Sequence, residues 1–511
     1  MPEPSAAPEW PPVQWPPEVE RLRTLLADAG APIYLVGGTV RDALLGRPLK
    51  DIDLATPGDG LSIARRLADD LGAAFYPLDA ERGVGRVVLD RPEGRLFVDI
   101  ARFRGATLVD DLRARDFTVN ALAAALTGDP ARVIDPLDGV ADLRARRLRL
   151  CAPNAIAADP TRALRAVRLS AALKLHIEAE TQIAIRRDGA RLVDVAAERV
   201  RDEFMAILQG PQPAGALRVL DALGLVDIVF PEADAMRGLT QSPPHAETLW
   251  EHTLRVVDRM DAVLRVIGPE RTDNTAAQAG LGLIVMQLDP YRADLQAHLA
   301  QPWPDGRTAR GLILLSALLH DVGKPVTMSR EANGRVRFIN HDRVGAAMAE
   351  ARCQALRLSR NEVRRVARVV QHHMRPMLLA NEPVVTGRAI YRFFRDAKDG
   401  AGVDVCLLAL ADYLGTVGVS LDLEDWTHYV AVVAQLVGAY FRQRREMVEP
   451  PLLLTGRDIK AALGLPAGPR IGELLEALRE AQASGEVSTR EEALAFVKAA
   501  GNGEGRGARR T

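Results

Sequence analysis

Gly37-Gly-Thr-Val-Arg-Asp-Ala-Leu-Leu-Gly-Arg-Pro-Leu-Lys-Asp-Ile-Asp-Leu54 is the stretch on which the reading of this 511-residue chain turns. Pro32 to Val36, just before it, is a short apolar strand, and Thr39 to Leu45 has helical spacing, so the stretch opens as strand, glycine turn and helix. Gly37 and Gly38 let backbone approach a triphosphate closely, the helix aims its first amides at phosphate, and Arg41 adds a charge-assisted contact. The stretch closes on Lys50-Asp-Ile-Asp-Leu54, where Asp51 and Asp53 alternate along a strand and project from one face. Two hard oxygen ligands side by side suit magnesium, and two such ions clamp the attacking and leaving oxygens of a phosphoryl transfer. Singly, a tight turn with a surface arginine or a strand-end Asp-x-Asp is common without function; together, at this spacing, they point to catalysis.

Outward from there, Glu18 to Gly30 reads as an amphipathic helix, Asp51 to Ala55, Arg86 to Leu89 and Leu96 to Ala101 as strands, and Phe117 to Leu126 as a helix. The expected fold class is α+β, with a mixed-sheet head followed by mainly helical modules. Helical periodicity runs almost unbroken from Pro160, punctuated at Gly210-Pro211, Pro243-Pro244 and Pro450-Pro451. The length calls for several domains. They divide as a disordered Pro-rich arm over 1–18, a head over 19–150, a neck over 151–235, a third module over 236–445, a helical tail over 446–500 and a flexible end over 501–511. Residues 266 to 310 read as an irregular insertion in the third module.

The formal net charge of −1 gives no overall pull on nucleic acid, so RNA contact has to be regional. Arg144, Arg146, Arg147, Arg149, Arg162, Arg165 and Arg168 make such a region, although a charge run is also what a solvated face looks like. Three well-separated cysteines suit a reducing compartment. No apolar run spans a bilayer and no secretory segment opens the chain, so the expected location is the cytoplasm.

Residues 37 to 54 resemble the signature of class II CCA-adding enzymes and bacterial poly(A) polymerases. The resemblance implies a polymerase-β-like nucleotidyltransferase head, in which Asp51 and Asp53 bind catalytic Mg2+ while Gly38 and Arg41 hold the incoming nucleotide. Asp99, in Phe-Val-Asp-Ile, matches a third strand carboxylate of the wider superfamily. Arg115-Asp-Phe-Thr-Val-Asn120 resembles the segment that binds ribose and triphosphate, with Ala114 where the family often has a second arginine. Asp116 has a second reading as a helix N-cap.

Asp159-Pro-Thr-Arg162, followed by Arg165 and Arg168, matches the base-selecting segment, with Ala158 in place of the family's glutamate. Asp159 and Arg162 are neighbours on one helix face. A carboxylate accepts from an exocyclic amine and a guanidinium donates to the ring acceptor beside it. Cytosine and adenine offer that pattern, whereas uracil and guanine present a carbonyl and an N–H. Such a pair selects C and A without a template. The bland alternative is a well-started helix. Further on, Ala197-Glu-Arg-Val-Arg-Asp-Glu203 looks like the family's neck motif, with Glu198 and Arg199 bracing the base-reading helix.

Seven of nine histidines fall between His245 and His373. His252, the doublet His320-Asp321, His341, His372-His373 and Asp412 follow the order of the HD phosphohydrolase superfamily, which implies a metal site built from His252, His320, Asp321, His341, His372 and Asp412. Imidazole with carboxylate suits a transition metal such as Ni, Co or Mn. Lys324 looks like a phosphate-contacting lysine of such sites. The activity implied is addition of CCA to the 3′ end of tRNA from CTP and ATP, with a metal-dependent phosphohydrolase in the HD domain, and neither membrane nor DNA as partner. The rival readings are a poly(A) polymerase, an enzyme adding only the terminal A, and an RNA-binding HD phosphohydrolase with an inactive head.

Overall fold

The computed structural model describes residues 13–91, 94–240, 247–269, 271, 279–332, 334–418 and 420–501. Most of the Pro-rich arm, Pro243-Pro244, His245 and all but the first residue of the flexible end lie outside them. The chain divides into two compact units, one running to Val195 and including Leu223–Leu225, the other holding Ala196–Ala222 and everything from Val226. Residues 151–195 of the expected neck thus belong with the head.

The first unit is built on a seven-stranded mixed sheet. Its strands are β1 (Tyr34–Val36), β2 (Asp51–Thr56), β3 (Ala74–Asp79), β4 (Val84–Arg91), β5 (Gly94–Arg102), β6 (Ala123–Ala125) and β7 (Val133–Ile134). They lie in the order β3-β4-β5-β2-β1-β6-β7, with β2 and β5 parallel and every other neighbouring pair antiparallel. Leu35, Ile52, Leu54, Val98 and Ile100 bury the middle of the sheet. The helix Gly60–Leu71, capped by Asp59, packs on β4 and β5. Only glycine fits at position 60, because a Cβ there would stand 2.5 Å from the Gly83 carbonyl oxygen.

Two expectations need correction. Phe117 to Leu126 is not a helix: Thr118–Asn120 form one 3-10 turn, and Ala123–Ala125 pair with β1 inside the sheet. A short apolar run buried on both sides looks the same from sequence in either conformation, and here the sheet decides it. Nor is 266–310 an irregular insertion. The preceding helix, Leu249–Ile267, runs into it, and helices Ala279–Leu288 and Arg292–Leu299 follow. Near-uniform apolarity in Ala279–Leu288 erases the periodicity on which a helix is recognised.

In the second unit, helices Leu249–Ile267, Ala309–Leu319, Arg360–His372 and Ala401–Val417 pack on one another. Ala309–Leu319, capped by Thr308, is buried at every position but Arg310, so it is the centre of the bundle. Three further helices, Gly456–Leu463, Pro469–Ala483 and Arg490–Gly501, close over a small core of Leu454, Ile459, Leu474, Leu478 and Val497. Gly464, at φ +64°, ends the first of them. No single described helix is long and apolar enough to cross a membrane.

Candidate active sites

Alternation along β2 puts Asp51 and Asp53 on one face, and the register of β2 with β5 places Asp99 directly beside Asp53. Arg86, opposite Asp99 on β4, donates to both oxygens of Asp99 at 2.7 Å and lies over the Phe97 ring. The Asp53 amide donates to the Thr39 hydroxyl at 2.8 Å, tying the helix Gly38–Leu44 to the strand. Gly37 sits at φ +69°, and a Cβ there would lie 2.8 Å from Nη1 of Arg115. Burial pushes Asp53 up to about 6 against the pull of Arg115, with Asp99 and Asp51 adding to the rise. Asp51 is raised as well, chiefly by burial. Arg86 neutralises Asp99, and Asp51 and Asp53, both raised, remain beside it as a donor set that fits magnesium.

Behind this face, Arg41 donates to the side-chain oxygen of Asn120, whose amide donates to Asp116 at 3.0 Å, and Arg165 donates to the other Asp116 oxygen at 3.3 Å. Burial pushes Asp116 up, but Arg165, Asn120 and the Phe117 amide outweigh it and hold the carboxyl below its usual value. The capping alternative falls away, since the N-cap position of the turn after Asp116 is Phe117, with no side-chain cap. Arg115 pairs with the buried Asp111 at 2.9 Å.

Asp159 and Arg162 are set from two sides. Arg162 donates to the carbonyls of Ala114 at 2.9 Å and Arg115 at 3.2 Å. The Thr161 hydroxyl donates to Asp159 at 2.6 Å. Thr161 therefore provides the orientation that Ala158 lacks the side chain to give. Arg162, Arg165 and Arg168 form one half-buried stripe along the helix Thr161–Leu173. Sequence reasoning missed Thr161, Asn120, Asp111 and also Arg104, which shares the Ala114 carbonyl with Arg162 at 3.2 Å. Burial lowers the Arg104 pKa, and the charges of Arg115 and Arg162 add to that. Asn120 and Thr161 lie inside the two motif stretches without a role assigned to them there, and nothing local in the sequence marks Asp111 and Arg104.

The second site gathers one ligand from each of the four packed helices. His252 lies in the first, His320 and His373 end the second and third, and Asp412 lies in the fourth. Asp321 stands in the middle. Its Oδ2 is 3.1 Å from Nε2 of His320 and 3.6 Å from that of His252, and its Oδ1 is 3.5 Å from His341 and 3.7 Å from His373. Asp412 closes the first half at 3.3 Å from His252. Nδ1 of His320, His341 and His373 each hydrogen-bonds the backbone carbonyl three residues earlier, at 2.7–2.8 Å. If Nδ1 carries the proton, each Nε2 lone pair is left for a cation. Nε2 of His320 is buried against the Asp321 and Asp412 carboxylates, and those of His341 and His373 face each other at 3.4 Å. The residues fit one or two divalent transition metals sharing Asp321.

Electrostatics agree. Burial disfavours charge on His320, yet Asp321 and Asp412 overcome it and push the ring up to about 10. Both carboxyls lie well below their usual range, burial being outweighed mainly by His320 and Lys324 at Asp321 and by His252 and His320 at Asp412. Burial brings His373 down to about 4, with His320 adding to it. Of the adjacent pair it is His373, not the expected His372, that belongs to the cluster. Successive helical residues point about 100° apart, so only one faces the bundle axis. His372 lines a polar concavity with Asp342, Arg343, Arg375 and Asp396 instead. Lys324 contacts Asp321 at 2.7 Å.

Comparison with known proteins agrees with this architecture. Residues 33–149 match the poly A polymerase head domain, 174–237 the probable RNA and SrmB-binding site of polymerase A, 249–416 the HD domain and 448–497 the putative tRNA nucleotidyltransferase domain 2. An A-adding tRNA nucleotidyltransferase of Deinococcus radiodurans is 36% identical over 91% of this chain and 94% of its own. A CC-adding tRNA nucleotidyltransferase of Thermus thermophilus is 34% identical over 91% and 92%. A solved CCA-adding enzyme in complex with ATP shares the fold, with a TM-score of 0.60, 22% identity and 96% of each chain covered. The chain belongs to the tRNA nucleotidyltransferase family and carries an HD domain in the same polypeptide.

Proposed function

We propose that the head adds C and A from CTP and ATP to the 3′ end of tRNA without a template, completing CCA, and that it works in the cytoplasm. The observation that carries the reading is the shared face of Asp51, Asp53 and Asp99 together with the network from Arg41 through Asn120 and Asp116 to Arg165 on the base-reading helix. Arg41 and Arg115 hold the triphosphate, and Asp159 with Arg162 reads the amine and ring acceptor of the base. Asp51 and Asp53, with Asp99 beside them, are the residues that would hold Mg2+. When bound, the ion lowers the cost of ionising the terminal hydroxyl and stabilises charge on the departing pyrophosphate. The 3′ oxygen then bonds to the α-phosphorus as the bond to the bridging oxygen of pyrophosphate breaks. Intact carboxylates and an intact network speak against an inactive head.

A tRNA lacking its terminal triplet should gain three nucleotides with CTP plus ATP, stop after two with CTP alone and gain none with UTP or GTP. A second reading is favoured by the names of four near-full-length relatives, which are CC-adding or A-adding enzymes, whereas a fifth is named a multifunctional CCA protein. On that reading the head adds only CC, or only the last A. Stalling after two with both nucleotides present, or extension only of tRNA already ending in CC, would establish it. Long A-tails on unrelated RNA would establish a poly(A) polymerase.

For the HD domain we propose hydrolysis of phosphoesters such as 2′,3′-cyclic phosphates at RNA ends, supported by Ni, Co or Mn held by His252, His320, Asp321, His341, His373 and Asp412. Water adds to phosphorus, one ring P–O bond breaks, and the freed ribose oxygen takes a proton. Comparing wild type with Asp321→Ala across a metal panel tests this.

A further inference from the structure

Two buried ionic ties join the four ligand-bearing helices of the second unit in pairs. In the first, Arg365 of the helix Arg360–His372 pairs with Asp404 of Ala401–Val417. Nη1 of Arg365 donates to the Asp399 carbonyl, and its Nη2 lies 3.1 Å from Nε2 of His298, on the helix Arg292–Leu299. Oδ1 of Asp404 is 2.7 Å from the same nitrogen. Arg365, Asp404 and His298 are 5%, 1% and 4% exposed, so the whole set is out of water. Gly400 stands at φ +78°, where a Cβ would come within 2.8 Å of Nη1 of Arg365. The second tie pairs Arg310 of Ala309–Leu319 with the buried Asp261 of Leu249–Ile267. Both ties stand away from the metal cluster. His373 follows Arg365 by eight residues and Asp412 follows Asp404 by eight, about 12 Å of helix in each case. In the other pair, which runs antiparallel, Asp261 lies nine residues after His252 and Arg310 ten before His320. Tie and ligands are thus separated by matching lengths of helix on both members of each pair.

Apolar packing holds such helices together but is non-directional, so it does not by itself choose how far one is slid along the other. A buried ion pair does, because any other register leaves a charge in the core without its partner. The requirement at the cluster is strict: a slip of one residue is about 1.5 Å, whereas metal–ligand distances hold to about 0.2 Å. For stability alone, apolar side chains of similar volume would serve as well as buried ions. We propose that Arg365, Asp404 and His298 are positioning residues of the HD site, fixing the register of the helices that carry His373 and Asp412, as Arg310 and Asp261 do for those that carry His252 and His320. The inference rests on the metal-site reading of the cluster and deepens it by naming what holds its ligands level.

The test uses the full chain with Co2+ as probe, its binding followed by visible absorption and its stoichiometry by native mass spectrometry. The parent and all variants carry Asp53→Asn, which removes the head cleft as a competing site. Arg365→Met with Asp404→Leu and His298→Leu deletes the whole first tie and leaves no buried charge behind. Its calorimetric transition should stay within a few degrees of the parent, while the Co2+ dissociation constant rises at least about tenfold. Arg365→Lys, which keeps Asp404 paired but loses the other two contacts, should raise the constant less. Val433→Ala, on the helix Leu423–Arg442 that carries no ligand, should lower the transition and leave the constant unchanged. Parent affinity in either tie variant, or an equal loss in Val433→Ala, would overturn the positioning role. Metal-free crystal structures of the parent and the triple variant provide a second arm, in which the helix Arg360–His372 is expected to shift along Ala401–Val417 by about 1.5 Å. A parent that binds no Co2+ would overturn the metal-site reading, and the shift alone would then decide: present, the ties set the register; absent, they do not.

Discussion

The two sites solve the same problem, gathering ligands for a cation, on opposite kinds of scaffold. In the head, Asp51, Asp53 and Asp99 share one sheet face, and strand period and register place all three. In the helical unit, the six residues come from four helix bodies or ends, one following turn and the start of the helix His341–Ala355, spread from His252 to Asp412. A sheet site tolerates change around it because the backbone ladder sets the spacing. A bundle site depends on how several helices pack, so its geometry rests on core residues such as Leu312 and Leu315 of the central helix.

The largest effect should separate the sites outright. Asp53→Ala is expected to lower nucleotide addition about 10³-fold, while metal-stimulated hydrolysis at the HD site persists. Addition of labelled ATP at more than about a tenth of the wild-type rate would remove the carboxylate mechanism. Next, His373→Ala should lower HD hydrolysis more than about 100-fold and reduce the bound metal measured by native mass spectrometry. His372→Ala should leave the bound metal at the wild-type level. The reverse result would mean that the helix end turns to present the other ring.

These contrasts mirror what was legible from sequence. The strand carboxylates and the glycine turn depend on short-range spacing, so Asp51, Asp53, Gly37 and Arg41 stood out at once. His372 was chosen where His373 belongs, because the choice depends on the helix phase at its last turn, where one residue of shift exchanges the two. Phe117 to Leu126 was misread for a related reason: Leu122, Ala123, Ala124 and Leu126 are all buried, so no polar face reveals the period. Thr161 escaped notice because a threonine opening a helix is ordinary until its hydroxyl is seen on Asp159.

A smaller effect sharpens the base-reading half of the head. Arg162→Ala should narrow the preference for CTP over UTP by about tenfold to a hundredfold, the worth of one charge-assisted hydrogen bond of about 1.5–3 kcal/mol. Thr161→Val, which keeps shape and removes the hydroxyl, should move the same ratio less. Because Arg162 also donates to the carbonyls of Ala114 and Arg115, the melting temperature is measured alongside. A ratio unchanged in a folded Arg162→Ala protein would remove it from base selection.

The smallest expected effect concerns protons on the head. Asp53 has a native value near 6 against an ordinary 3.8, so the folded state binds that proton more tightly than the unfolded chain. Its contribution to stability is fully present below about pH 4 and is lost as pH rises through 6, because the native cleft then holds a buried charge, which Asp99 and Asp51 also repel. Without divalent cations at pH 8, Asp53→Asn should therefore raise the calorimetric transition of the head by a few degrees over wild type, on the order of 2–4 °C. At pH 5 the gap should narrow, since the wild-type carboxyl is then largely protonated. Magnesium at pH 8 should raise the wild-type transition and leave the variant where it was, because a bound cation neutralises what the proton no longer can. The HD site should show two limbs: the raised value of His320 contributes stability that is lost as pH rises toward about 10, and the lowered Asp321 and Asp412 contribute stability that is lost only in strong acid. An Asp53→Asn head that melts below wild type at pH 8 without metal would mean that this cleft is not short of positive charge, and the distinction between the two scaffolds would then rest on geometry alone.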